Sequence, residues 1–271
     1  MAMGIIVYLS RTAITKIYWA DVMESIWEVF RKRNWPFRYM LVDVGLSRLL
    51  KYYGTITYPQ WFVDMYVSIC EGLYESTEGR VIAIIPDFPA KWDGKWVDNY
   101  FEKHYKMLKE WEGHKSPVWV PIFRYEYLSF EQIDFVLNEF APLFDCREII
   151  AIATPAIKEN IPKFLYALRG IRRVFPKAKI HLLALRSTKL KDIRVEGIRS
   201  VDLGKAAVSY RLLKSYVLRR TVHQDVSVRH VENIRLSIKD AKTLYMLNVE
   251  RVIKEVESLL GEVDYGGWVE G

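Results

Sequence analysis

Short apolar runs alternate along this chain with longer stretches in which apolar residues recur every three or four positions. The runs G-I-I-V-Y-L (4–9), Y-M-L-V-D-V (39–44), V-I-A-I-I-P (81–86) and P-V-W-V-P-I-F (117–123) predict strands. So do E-I-I-A-I-A (148–153), K-I-H-L-L-A-L (179–185) and G-I-R-S-V (197–201). Helical periodicity falls over 21–33, 59–75, 98–112, 129–140 and 157–174, with a short helix near 188–195 and another over 204–220. Pro59 suits a first helical turn and Ser129 suits an N-cap. An eighth strand is placed at V-S-V-R-H-V (226–231), and a helix at about 239–259 closes the chain.

Strands this short and apolar on both faces belong to a buried parallel sheet, and their alternation with helices gives an α/β fold. Seven βα units and an eighth predict one (β/α)8 TIM barrel spanning residues 1–271 as a single domain. Such barrels run to about 250 residues. No Gly/Ser/Pro-rich tract marks a linker. The alternative is a doubly wound open sheet, but the first strand leads into no glycine-rich phosphate loop.

Composition narrows the class. Of the 271 residues, 51% are apolar and 14% aromatic, enough for a substantial core. No apolar run reaches the roughly 20 residues that cross a bilayer. The opening M-A-M-G-I-I-V-Y-L-S reads as a strand and not as a secretion signal, so a cytoplasmic protein is expected. Cys70 and Cys146 stand far apart and form neither a zinc-ligand pair nor a disulfide framework. No metal and no cofactor is expected. The motifs H-E-x-x-H, G-x-S-x-G and G-x-x-x-x-G-K-[ST] are absent.

The net charge of +7 is local. Residues 186–235 hold 12 Lys or Arg against 5 Asp or Glu, so this one segment carries the whole excess. A basic field of that kind attracts polyanions, nucleic acid foremost; a solvated, charge-rich helical surface is the other reading.

In a barrel every strand's C-terminal end opens on one rim, where such folds place their chemistry. Asp43, Asp87 and Asp202 fall at the ends of the predicted second, third and seventh strands. Arg124 and Tyr125 follow the fourth, Thr154 the fifth, and Arg186 with Ser187 the sixth. Carboxylates grouped at one mouth can serve as nucleophile, general base and acceptor for a ligand's donor groups. Each acid can also be a plain helix N-cap at a strand-to-helix junction. Among the histidines, His104 reads as packing or surface, His114 as a turn residue and His181 as a satisfied core side chain. His223 and His230 lie in the basic segment. The loop P-D-F-P-A-K-W (86–92) starts one step past a strand, and Trp92 and Trp96 either roof the fold or stack on a base.

Several motifs, taken in order, resemble the tRNA-guanine transglycosylases and the related enzymes that insert 7-deazaguanine bases into DNA. Leu41-Val42-Asp43-Val44-Gly45-Leu46 stands where that family has D-S-G-G-F. Residues 151–159, A-I-A-T-P-A-I-K-E, follow the outline of A-I-G-G-L-A-V-G-E. Leu183-Ala184-Leu185-Arg186-Ser187-Thr188 lies where the family has M-G-V-G-T-P. Gly197-Ile198-Arg199-Ser200-Val201-Asp202 matches G-I-D-M-F-D. The resemblance covers about residues 39–204 and implies a barrel that exchanges a guanine-type base in a nucleic acid, tRNA or DNA. It implies Asp202 as nucleophile, Asp43 as general base and Asp87 as the acid that holds the guanine or 7-deazaguanine base. Arg124, Thr154, Arg186 and Ser187 would line the substrate site. Arg211, Lys214, Arg219 and Arg220 would hold the phosphate backbone. The family's zinc-binding cysteines have no counterpart here, and its paired glycines are replaced by Ala153 and Thr154.

Two other functions fit the same residues. One is a barrel glycoside hydrolase using two of the acids, which sets their carboxyl separation. The other is a nucleic-acid-binding barrel without catalysis.

Overall fold

The computed structural model of the chain describes residues 6–9, 17–18, 22–25, 39–44, 58–87, 91–92, 95–96, 98–111, 113–114, 118–139, 141–144, 149–154, 161–183, 197–203, 254, 256–258, 260–262 and 269–270. The elements expected at 188–195, 204–220 and 226–231 lie outside these residues. So do Arg186, Ser187, Arg211, Lys214, Arg219 and Arg220.

The chain is an α/β fold built on parallel strands. Its strands are β1 (Ile6–Leu9), β2 (Ile17–Tyr18), β3 (Val22–Ser25), β4 (Met40–Asp43), β5 (Val81–Ile84), β6 (Lys91–Trp92) and β7 (Lys95–Trp96). They continue as β8 (Trp119–Val120), β9 (Ile122–Phe123), β10 (Ile149–Ala153), β11 (Lys179–Leu183), β12 (Ile198–Leu203) and β13 (Val269–Glu270). The helices are α1 (Gln60–Ser76), α2 (Tyr100–Glu110), α3 (Phe130–Glu139), α4 (Ala141–Phe144) and α5 (Ile161–Val174). Lys254, Val256–Ser258 and Leu260 are also helical, within the expected closing helix and one residue past it.

Parallel pairing runs in chain order from β1 to β3, β4, β5 and β8. It resumes from β9 to β10, β11 and β12, and β12 pairs with β1. β8 and β9 are separated only by Pro121, which lacks an N–H and so cannot donate to a ladder. The chain changes partner there: Ile85 N–H donates to Val120 O at 2.9 Å on one side, and Ala151 N–H to Pro121 O at 2.8 Å on the other.

One expectation is overturned. The helix placed over 21–33 begins with β3, in parallel register from Val22 opposite Met40 to Ser25 opposite Asp43. The local spacing of Val22, Ile26, Val29 and Phe30 is helical, but β4 would otherwise leave one side of its buried backbone unpaired. Satisfying those groups outweighs the propensity of four residues. At the end of the expected loop, β6 and β7 pair as antiparallel strands.

Alternation along the strands separates two buried faces. Leu41, Ile84, Val120, Ile122 and Ala151 gather into one cluster, with Leu183 against it. Their neighbours Met40, Val42, Ala83, Trp119, Ile150, Ile152, Leu182 and Val201 face the other way, into a core shared with Phe62, Tyr66, Val136, Leu137, Phe164 and Leu168 of the helices. Removing each such large side chain from water contributes about 1.5–3 kcal/mol. Ser129 caps α3 as expected, in a reciprocal box. Its Oγ accepts from Gln132 N–H at 3.2 Å, and its own N–H donates to Gln132 Oε1 at 2.8 Å.

Candidate active site at the strand ends

Because the strands are parallel, their C-terminal ends share one edge. Asp43 closes β4, Asp87 lies three residues past β5, Arg124 follows β9, Thr154 follows β10 and Asp202 is the penultimate residue of β12. These five therefore lie at the same end; Tyr125, the sixth residue expected there among the described ones, is buried in the helix-facing core against Phe164. The face they occupy follows from period two. Asp43 has the parity of Leu41, and Asp202 the parity opposite to outward-packed Val201, so both stand on the side of the inner cluster.

Asp202 is not a residue beyond a strand. It lies inside β12, 3% exposed, opposite Tyr8 of β1. Its carboxylate faces His181 of β11, with His181 Nε2 3.3 Å from Asp202 Oδ1. His181 Nδ1 is 2.9 Å from Ser200 Oγ, and His181 and Ser200 are register partners across the two strands. His181 is fully buried and Ser200 is 1% exposed. The histidine expected to be ordinary core thus joins a buried Ser200–His181–Asp202 row. The signal was present: His181 shares parity with Leu183, and Ser200 stands two residues before Asp202.

A second cluster surrounds Asp87. Arg124 Nε donates to Asp87 Oδ2 at 2.7 Å and Nη2 donates to the same oxygen, while Nη1 donates to Glu126 Oε1 at 3.0 Å. Burial pushes the Asp87 carboxyl above its ordinary range, with Arg124 pulling it back down. Burial works against the Arg124 charge, yet Asp87 and Glu126 outweigh it and hold the guanidinium protonated. Glu126 Oε2 is buried and accepts no hydrogen bond. In the sequence Glu126 is marked only by its place two residues after Arg124, which puts the two side chains within reach.

Helix α1 fixes both strand ends. Tyr66 directs its hydroxyl to Ile84 O at 2.8 Å and Val42 O at 3.2 Å, pinning the last residue of β5, three before Asp87, and the residue before Asp43. Tyr58, immediately before the helix, donates to the Asp87 carbonyl. Its phenol is pushed well above the ordinary range by burial and then by the negative charges of Asp87 and Asp43. Thr154 Oγ1 donates to Leu183 O at 3.2 Å, tying β10 to β11 at the rim. His104 is buried against Tyr100, with ring centroids 5.6 Å apart. Burial lowers its pKa to about 3.

Cys70 is buried among the aromatic residues of α1, and burial pushes its thiol up, away from reactivity. Among the described residues no three of His, Cys, Asp and Glu gather in a way that could hold a metal ion. No helix among them is long and apolar enough to cross a membrane. No protein-family model matches the chain, and no curated protein matches it.

Proposed function

We propose that the chain is a (β/α)8 barrel of the tRNA-guanine transglycosylase type, exchanging a guanine-type base in a nucleic acid through a covalent intermediate on Asp202. The observation that carries this reading is the shared rim and shared inward parity of Asp43 and Asp202 on parallel strands. The continuous run of parallel pairings from β8 through β1 to β9, two end strands that Pro121 joins along the chain, supports the barrel. The basic excess of residues 186–235 supports a polyanionic substrate.

The chemistry balances as a double displacement. A carboxylate oxygen of Asp202 attacks C1′ of the target nucleotide, and the C1′–N bond breaks. The electron pair leaves with the base, which takes a proton from Asp43. The incoming base returns a proton to Asp43 and attacks the same carbon, releasing Asp202. Asp87, held by Arg124, offers its acceptor edge to the ring N–H groups of the base. Arg211, Lys214, Arg219 and Arg220 hold the phosphates, and the target base leaves its stack to reach the rim. No metal or cofactor enters these steps.

Labelled guanine and 7-deazaguanine precursors, offered with tRNA and separately with duplex DNA, test this. Label entering one polymer with wild type and not with Asp202→Ala is the expected result. No incorporation into either polymer overturns it, and salt-sensitive binding retained in both proteins would then favour the non-catalytic binder.

A further inference from the structure

From the row formed by Ser200, His181 and Asp202, we infer that His181 is a positioning residue that fixes the carboxylate of Asp202 for attack. This inference rests on Asp202 acting as the nucleophile. As a nucleophile Asp202 is ionised, and an ionised carboxylate has acceptors only, so the imidazole nitrogen facing it must carry the proton. That nitrogen is Nε2, 3.3 Å from Oδ1. In a neutral imidazole Nδ1 is then the acceptor, and the group beside it is the Ser200 hydroxyl, 2.9 Å away. The hydroxyl donates inward, the tautomer is fixed, and Nε2–H stands 3.3 Å from Oδ1 of Asp202, within ion-pair distance but not aligned as a hydrogen bond.

The three residues belong to adjacent strands, with His181 opposite Ser200 just past a register shift between Ile180 and His181, so the row is carried by the paired strands and not by a loop. His181 is fully buried, so it does not itself reach a polynucleotide. Its action on the reaction passes through Asp202. The Ser200 contact is a formed hydrogen bond and the Nε2 contact is not, and catalytic hydrogen bonds are often misaligned until substrate tightens them. Anchoring Oδ1 holds the carboxylate plane and sets the direction of its other oxygen. A misplacement of about 1 Å at a reacting atom costs roughly 100-fold in rate.

The test compares His181→Gln, His181→Phe and Ser200→Ala with wild type in the base-exchange assay, with thermal unfolding recorded for each. Gln keeps an N–H donor near the Nε2 position and Phe keeps only the bulk. The expected result is a fall of about 100-fold in kcat for His181→Phe with KM nearly unchanged, and recovery to within about tenfold for His181→Gln. Equal kcat in wild type and a folded His181→Phe overturns the inference, as does a Gln variant no better than Phe. Long-range 1H–15N correlation spectra of the wild type, assigned with the His181→Gln spectrum, give a readout independent of activity. A bare Nδ1 and a protonated Nε2 are expected, with that preference lost in Ser200→Ala. The opposite tautomer overturns the inference even where base exchange is normal. A wild type with the expected tautomer and no base exchange overturns the proposed function and leaves the row standing as the support of Asp202.

Discussion

Arg124 reaches across from the end of β9 to place two donors on a single carboxylate oxygen of Asp87, three residues past β5. The two side chains are 15% and 7% exposed, so neither charge is balanced by bulk water. Removing one partner leaves the other buried and uncompensated, at a cost of about 3–5 kcal/mol. Arg124→Ala should lower unfolding free energy by about that much in urea titrations, and Asp87→Ala by less, because Glu126 still faces the Arg124 charge. The triple variant Arg124→Met, Asp87→Leu and Glu126→Gln, which leaves no unpaired charge, should recover most of the loss.

Acid should weaken the fold through His104. Its pKa in the folded protein is lowered to about 3, against an ordinary value near 6.5. Between those values the unfolded chain binds the extra proton and the folded chain does not, so stability rises with pH across the window. The contribution is complete above about pH 6.5 and is lost as pH falls toward 3. His104→Gln should flatten this part of the stability curve, read as unfolding midpoints between pH 4 and 7, while leaving the neutral-pH slope unchanged.

Gly197 leads into the strand that carries Asp202 with φ of +90°, and a Cβ there would come within 2.6 Å of Arg172 Nη1. Arg172 is itself engaged, donating to Ala178 O at 2.8 Å. Gly197→Ala combines left-handed backbone strain with a clash, and each such strain costs of order 1–3 kcal/mol. A loss of at least 1 kcal/mol is expected in chemical denaturation. The neighbouring substitution Arg172→Ala should relieve part of it.

At the start of α3, Ser129→Ala removes one half of the capping box and Gln132→Ala the other. Losing such a cap costs about 0.5–2 kcal/mol. The two losses should not add in the double variant, because each removes the same reciprocal arrangement.

Much of this architecture was legible in the chain. The apolar runs ending at Asp43, before Asp87 and at Arg124 are strands, and Pro59 and Ser129 stand where helices begin, because local chemistry and tertiary pairing agree there. At 21–33 they disagree: helical spacing in the sequence competes with the demand of β4 for a partner, and only the three-dimensional pairing settles the contest in favour of Val22–Ser25. Asp202 could be placed near a strand end, but not inside the strand, because one residue of register separates a cap from an inward carboxylate. The role of His181 is hidden from the sequence for a similar reason. Burial alone describes a core histidine, and its significance comes from Ser200 and Asp202 on the next strand, a relationship of cross-strand register that no local window contains.

The central claim is that Asp202 forms a bond to the sugar. Incubating wild type and Asp202→Asn with the polymer that accepts label, without an acceptor base, and mapping any trapped nucleic acid by peptide mass spectrometry tests it directly. An adduct on the peptide containing Asp202 in wild type, discharged by added base and absent from the Asn variant, is the predicted result. Base exchange that persists in Asp202→Asn, or an adduct mapping to any other residue, would contradict the account.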